Sequence, residues 1–204
     1  FSAISNNYIF GINGIVFAPA LIAVAVILNF ISHLLNKIKS NKFDLHFFFI
    51  LGAFIYIFYK MNRYSEYGND APAHFLFYYL FSEILILIKR FNIKRLSNSL
   101  VLSGFIIMNK VTLGVASFLP LIFFNKTRFL GLLKLKRTYF IITFVTLWLI
   151  KNVITSGCII YPVAKTCFGS LIWTDIKTTE FISNENEAWT KNWPDTDMSL
   201  SHKE

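Results

Sequence analysis

Charge is scarce in this sequence, and acidic charge is scarcest. Only 15% of the 204 residues are charged, and 11 Asp and Glu stand against 20 Lys and Arg. Average usage is about 25% charged, and the polar gaps between apolar blocks are short. A soluble enzyme would need those blocks in a single core, with polar segments of similar length between them; that class is excluded. Cysteine is limited to Cys158 and Cys167, too few for a disulfide framework and without metal-ligand spacing to any histidine. We read them as two unpaired small residues, a single bridge being the alternative if their region faces an oxidising compartment. His33, His46, His74 and His202 form no HxxxH or HxxE array. A structural metal is therefore unsupported, no residue is assigned as a metal ligand, and nothing in the sequence names a cofactor. No internal repeat or low-complexity tract is visible.

Apolar and aromatic residues take the place of charge. The chain is 55% hydrophobic, includes 23 Phe and has a mean hydropathy of +0.54. A membrane span needs about 20 apolar residues, so this length holds roughly four to six helices. The expected fold is all-α, a polytopic transmembrane helical bundle over 1–150, followed by a polar C-terminal tail over 151–204 on the outer face. Because the chain begins at Phe1 and stops after a polar stretch, we expect an internal piece of a longer protein; a processed N-terminus is the alternative. Fifteen Lys against five Arg, with abundant Asn, Ile and Phe, suit an AT-rich bacterial genome.

Five apolar blocks can be read. The first, 8–35, is far too long for a secretory signal core and is a span. The second, 43–59, closes on Tyr56, Tyr59 and Lys60, an interfacial ending. The third, 73–88, carries Glu83 and ends at Lys89-Arg90. The fourth, 99–124, holds Asn109-Lys110 at its middle, and a mid-bilayer charge costs about 2.5–3.5 kcal/mol. Gly104, Gly114 and Pro120 favour two short halves or a re-entrant hairpin broken at 109–110 over one straight span. The fifth is 138–150, or 131–150 if 131–135 partly enters the membrane.

The basic residues set an orientation. Gaps 36–42, 89–98 and 125–137 hold three, four and five Lys and Arg, whereas 60–72 has Lys60 and Arg63 offset by Glu66 and Asp70. Alternation from the first gap puts 36–42 inside, 60–72 outside and 89–98 inside, as the positive-inside rule asks, and a single span at 99–124 would then put 125–137 outside. A broken fourth block keeps 125–137 inside, so the 60–72 loop and the tail share the outer face. The lipid bilayer is the implied partner. Basic residues spread through short gaps do not make the single soluble face of a nucleic-acid binder, so no nucleic acid is expected.

Two stretches could carry chemistry. The loop 63–74 brings Arg63, Glu66, Asp70, His74 and two tyrosines to the membrane–water boundary. Asp70 or Glu66 suits a general base or a metal-binding carboxylate and Arg63 a phosphate clamp; an ordinary helix cap with a surface Arg63–Glu66 pair is the alternative. The stretch 151–162 leaves the last span through small residues, and Tyr161 could stack on a sugar face. Its alternative is a Gly157 C-cap followed by an interfacial anchor. Glu83 and Lys110 are ionisable groups within spans, which suggest function or pairing, with Lys89 the nearest partner for Glu83. Asn125-Lys126-Thr127 matches a glycosylation sequon but falls in a gap assigned inside.

The exit Asn152-x-x-x-Ser156-Gly157-x-x-x-Tyr161-Pro162, the loop 63–74 and the tail 187–195 with Trp189 and Trp193 resemble multi-pass inner-membrane proteins of bacteria. Those proteins are in turn similar to the GT-C superfamily of glycosyltransferases. The resemblance implies a bacterial inner-membrane protein of cell-surface polysaccharide assembly that uses a polyprenyl-phosphate-linked sugar. GT-C enzymes carry their key acid on the first outer loop, whereas no acid precedes Asp44 here. No catalytic residue is therefore carried over. From the residues themselves, Asp70 and Glu66 are the catalytic candidates, and Arg63, His74, Tyr161 and Trp189 the substrate contacts. The rival reading is a non-catalytic transporter, flippase or structural component, with Glu83 and Lys110 facing a cavity.

Overall fold

A computed structural model describes residues 8–64 and 70–192, with side chains over 20–59 and 71–187. The described residues are helical, without a strand. In chain order the elements are α1 (Tyr8–Lys39), α2 (Leu45–Tyr64), α3 (Asp70–Lys89), α4 (Ile93–Asn109), a 3-10 helix (Val111–Ser117), α5 (Phe118–Leu121), α6 (Lys126–Leu133), α7 (Lys136–Ser156), a 3-10 turn (Ala164–Thr166) and α8 (Ile176–Asn192). Three stretches, Ala20–Lys39, Ala71–Lys89 and Lys136–Ser156, are long and apolar enough to cross a membrane; Leu45–Tyr59 and Val111–Leu121 are shorter apolar helices. The chain divides into two compact units, 1–141 and 142–204, with the boundary inside α7.

In the first unit α3 is the shared element. Ala23, Val26 and Phe30 of α1 meet Ile50, Ala53 and Ile57 of α2 and Phe75 near the start of α3. Both triplets are spaced three and four residues apart, which places them on one helical face. The small Ala23 and Ala53 are both buried in this contact. Farther along α3, Leu80, Ile84 and Leu87 pack on Leu96, Ile106, Ala116 and Leu132. The outward sides are apolar as well: Leu21, Leu28, Phe48, Ile55, Phe118 and Ile122 are all exposed.

One end of this unit is tied by charge. Asp44 caps α2, accepting from the Phe47 N–H at 3.0 Å, and its carboxylate also pairs with Lys37 of α1 and Lys89 of α3. Burial opposes the Asp44 charge, but hydrogen bonds from Lys37, Lys89 and Phe47 outweigh it and hold the carboxyl well below the usual carboxylate range.

The fourth apolar block is an excursion that returns to its origin. The Asn92 side chain caps α4, accepting from Lys94 and Arg95 N–H groups at 2.9 and 3.3 Å. The helix stops at Asn109, Lys110 is extended (φ −145°, ψ 104°), and the chain turns into the 3-10 helix. The Ser103 hydroxyl lies 3.3 Å from the Ala116 carbonyl across the hairpin. Phe91 then meets Phe123, with ring centroids 6.4 Å apart. The Arg128 guanidinium stacks on Phe91 at 4.1 Å, and Arg137 donates to Asn98. Segment 125–137 therefore lies beside 91–98.

Two sequence boundaries need correction. The stretch 131–150 is not one helix: α6 ends at Leu133 and α7 begins at Lys136, with the Thr138 hydroxyl donating to the Leu132 carbonyl at 2.8 Å across the turn. Nor does the tail begin at 151, because α7 runs on to Ser156. The Thr155 side chain bonds back onto the helix, to the Lys151 carbonyl at 2.9 Å.

The second unit turns sharply after α7. Gly157 has φ +71°, and a Cβ there would sit 1.8 Å from the Thr174 hydroxyl oxygen, so glycine is required twice over. Cys158 and Cys167 are bonded to each other, which corrects the reading of two free thiols. Nine residues of sequence separation and single pairs at unremarkable spacing gave no signal for it. The Phe168 N–H donates to the Gly157 carbonyl at 2.8 Å and the Ile159 N–H to the Thr166 carbonyl at 3.0 Å, closing the loop beside the bridge. Asp175 then caps α8, accepting from the Thr178 N–H at 3.0 Å.

Candidate functional site

Of the candidate residues, Glu66 lies outside the described residues, and the side chains of Arg63 at the end of α2, Asp70 at the start of α3 and Trp189 in α8 lie outside the described side chains. His74 sits half-buried in the first turns of α3. Tyr161 is exposed on the disulfide loop.

Tyr161 lines a cavity of about 430 Å³ in the second unit, with Trp173, Lys151, Asn152, Asp175 and Thr178 among its neighbours. Each wall has a local cause. Asn152 reaches forward, its amide donating to the Ile159 carbonyl at 3.2 Å, and the Trp173 indole N–H donates back to the Val153 carbonyl at 3.1 Å. The Thr178 hydroxyl and N–H hold the Asp175 carboxyl below its ordinary range, so it is ionised at neutral pH. Two aromatic faces, an amide, hydroxyls, a lysine and an aspartate can together contact a polyol ring. Trp173 and Asp175 were not singled out from the sequence. Trp173 stands 12 residues beyond Tyr161, and only the loop closed by the disulfide makes them neighbours.

A second polar site lies in the first unit. Glu83 is buried, its side chain 7% exposed, and Arg95 of α4 donates to both carboxylate oxygens at 2.7 and 2.8 Å. Lys89, the neighbour suggested by sequence spacing, is instead engaged by Asp44. The turn between α3 and α4 folds Arg95 back over Glu83, a pairing across 12 residues that helical spacing does not reveal. Around this pair lies a cavity of about 350 Å³ lined by Asn29, His33, Tyr79, Asn92, Lys94 and Asn98. An adjoining one of about 390 Å³ shares Tyr79, Glu83 and Asn98 and adds Val101, Leu102, Arg137 and Phe140. The Asn29 side-chain amide oxygen is buried without a hydrogen-bond partner among the described residues. Nearby, His46 and Ser82 share a hydrogen bond at 2.9 Å, and the His33 ring meets His46 edge-on at 5.5 Å. Lys110 does not line either cavity; it forms the extended break after α4. Among the described residues no group of three or more His, Cys, Asp and Glu could hold a metal ion.

Three apolar stretches of membrane-crossing length and exposed apolar flanks define an all-helical protein whose described helices could span a membrane. The chain belongs to the family described as a domain of unknown function, DUF8201, which it matches over residues 1–202. No curated protein and no solved structure matches it.

Proposed function

We propose that this chain is part of a GT-C-like glycosyltransferase of the bacterial inner membrane, acting on a polyprenyl-phosphate-linked sugar in cell-surface polysaccharide assembly. The observation that carries this reading is the cavity at the end of α7, where Tyr161 and Trp173 stand with Asn152, Lys151 and Asp175. Aromatic faces beside amide, hydroxyl and charged groups suit a sugar ring joined to a phosphate. The bond between Cys158 and Cys167 supports an oxidising, outer-face setting for this unit. The return of 125–137 to the 91–98 segment supports keeping both basic segments on the inner face. On this topology the 60–72 loop shares the outer face, with Asp70 or Glu66 as base, Arg63 and His74 on the phosphate, and Tyr161 and Trp189 against the sugar.

The test replaces one residue at a time in cells that make the surface glycan. Asp70→Asn, Arg63→Ala and Tyr161→Ala are expected to leave membrane insertion intact and abolish the glycan. Unchanged glycan in all three removes both the loop and the cavity from the site. A non-catalytic transporter is the second reading, favoured by Glu83 lining a cavity within the helices. Loss of glycan export in Glu83→Gln, with the three outer-face variants active, would select it.

A further inference from the structure

We infer that the two cavities around Glu83 form one amphipathic crevice that seats an anionic phospholipid, its phosphate between Lys94, Arg95 and Arg137 and one acyl chain along Val101, Leu102 and Phe140. The crevice is distinct from the sugar cavity and does not depend on sugar transfer; it rests only on the membrane placement proposed above.

Charge is the first argument. Segments 36–44, 89–98 and 125–137 hold three, four and five basic residues and a single acid, Asp44. Contacts within 1–141 bring them to one end: Asp44 joins Lys37 to Lys89, and Arg128 and Arg137 reach Phe91 and Asn98. Asp44 and Glu83 neutralise part of this charge. Lys94 and Arg137 form no ion pair among the described residues, and Arg95 engages Glu83 through one of its two terminal nitrogens. Three cations around one carboxylate leave a net positive site, and guanidinium forks suit phosphate oxygens.

The second argument is the division of the walls. One half of the crevice is lined by Asn29, His33, Asn92, Lys94 and Arg95, all polar. The other half adds Arg137 at its polar edge and then Val101, Leu102 and Phe140. A free phosphate needs only the cationic groups and leaves this apolar wall unused. A lipid uses both, with the Tyr79 and Asn98 positions common to the two cavities at the junction of head and chain. Phe140 lies on α7 within the apolar stretch Lys136–Ser156, so the apolar half is level with the hydrocarbon edge if that helix spans.

The experiment uses the full chain purified in a neutral detergent, with binding read by native mass spectrometry. Resistance of the chain to carbonate extraction from membranes is measured beforehand; release into the wash would sink the membrane placement and leave the binding result to be judged by itself. Dihexanoyl-phosphatidylglycerol, dihexanoyl-phosphatidylcholine and inorganic phosphate are titrated in parallel. The glycerol lipid is expected to bind about tenfold or more tightly than the choline lipid, one charge-assisted contact being worth about that factor. Lys94→Gln with Arg137→Gln should remove this preference, and Val101→Trp, which fills the apolar half, should weaken both lipids. Arg95 is left in place because its loss would strand Glu83. Equal binding of the two lipids, or binding unaltered by the double substitution, overturns the proposal. Competition by inorganic phosphate together with full binding in Val101→Trp overturns it in favour of a bare anion site.

Discussion

The two units of this chain hold their turns by different means. In residues 1–141 the helix ends are joined by ionised side chains: Asp44 to Lys37 and Lys89, and Glu83 to Arg95. In residues 142–204 the turn after α7 is held by the Cys158–Cys167 bond, with Thr166, Asn152 and Trp173 bonded to nearby carbonyls. The first unit has apolar clusters large enough to need only charge at its margin. Among the described residues of the second, Cys158 itself is the buried hydrophobic one, the circumstance in which a covalent link substitutes for a core. The units should therefore fail under different insults, the first to loss of a charge and the second to reductant.

The largest effect is expected at the buried pair. Replacing Arg95 by Met leaves the Glu83 carboxylate buried without its partner, at about 3 kcal/mol, the low end of the range because the guanidinium is itself about one-third exposed. Adding Glu83→Gln should recover most of that loss, since two neutral groups strand no charge. A thermal-melt series of the wild type, both single variants and the double variant in detergent measures the coupling. Additive single effects would show that the pair is incidental to the fold.

Reduction ranks next and should act on the other unit. The bond closes a loop with a sequence separation of 9, for which the chain-entropy account gives about 2–3 kcal/mol. Cys158→Ser with Cys167→Ser, or a thiol reductant, should speed proteolytic cleavage within 157–175 while leaving cleavage in 1–141 unchanged. Equal protection in the reduced and oxidised protein would mean that the side-chain hydrogen bonds alone hold the turn.

The two units also differed in how far their sequence disclosed them. Helix type was legible from apolar block length in α1 to α4 and α7 but not in α8, which lies in what reads as a polar tail, and the end of α4 at Asn109 was legible because a polar pair interrupts an otherwise apolar run. The polar closures were not. Asn152, Ser156 and Gly157 drew attention as a small-residue exit, and the structure gives each a use in the turn: Ser156 donates to the Asn152 carbonyl at 2.8 Å, and Gly157 adopts the left-handed conformation. Arg95 looked like one more inward-facing basic residue, because its partner sits 12 positions back across a helix turn. Trp173 and Asp175 stood in a polar tail with no periodicity to distinguish them. Local chemistry was readable where the partner lies within one helical turn and unreadable where a loop brings it in.

The smallest effect, and the one that separates charge from core most cleanly, concerns Asp44. Asn at this position can still cap α2 but cannot pair with Lys37 and Lys89, so Asp44→Asn should cost about 1 kcal/mol at neutral pH, the upper value for partly exposed pairs. The sign of the pH dependence follows from the depressed carboxyl. The folded state holds the ionised form more tightly than the unfolded chain, whose value is about 3.9. The stabilisation is therefore complete above that value and is lost as pH falls through the lower folded one. Acid should thus narrow the gap in melting temperature between wild type and Asp44→Asn below about pH 4, while reductant leaves that gap untouched. A gap that persists unchanged through that range would mean that the clasp acts through cap geometry rather than charge.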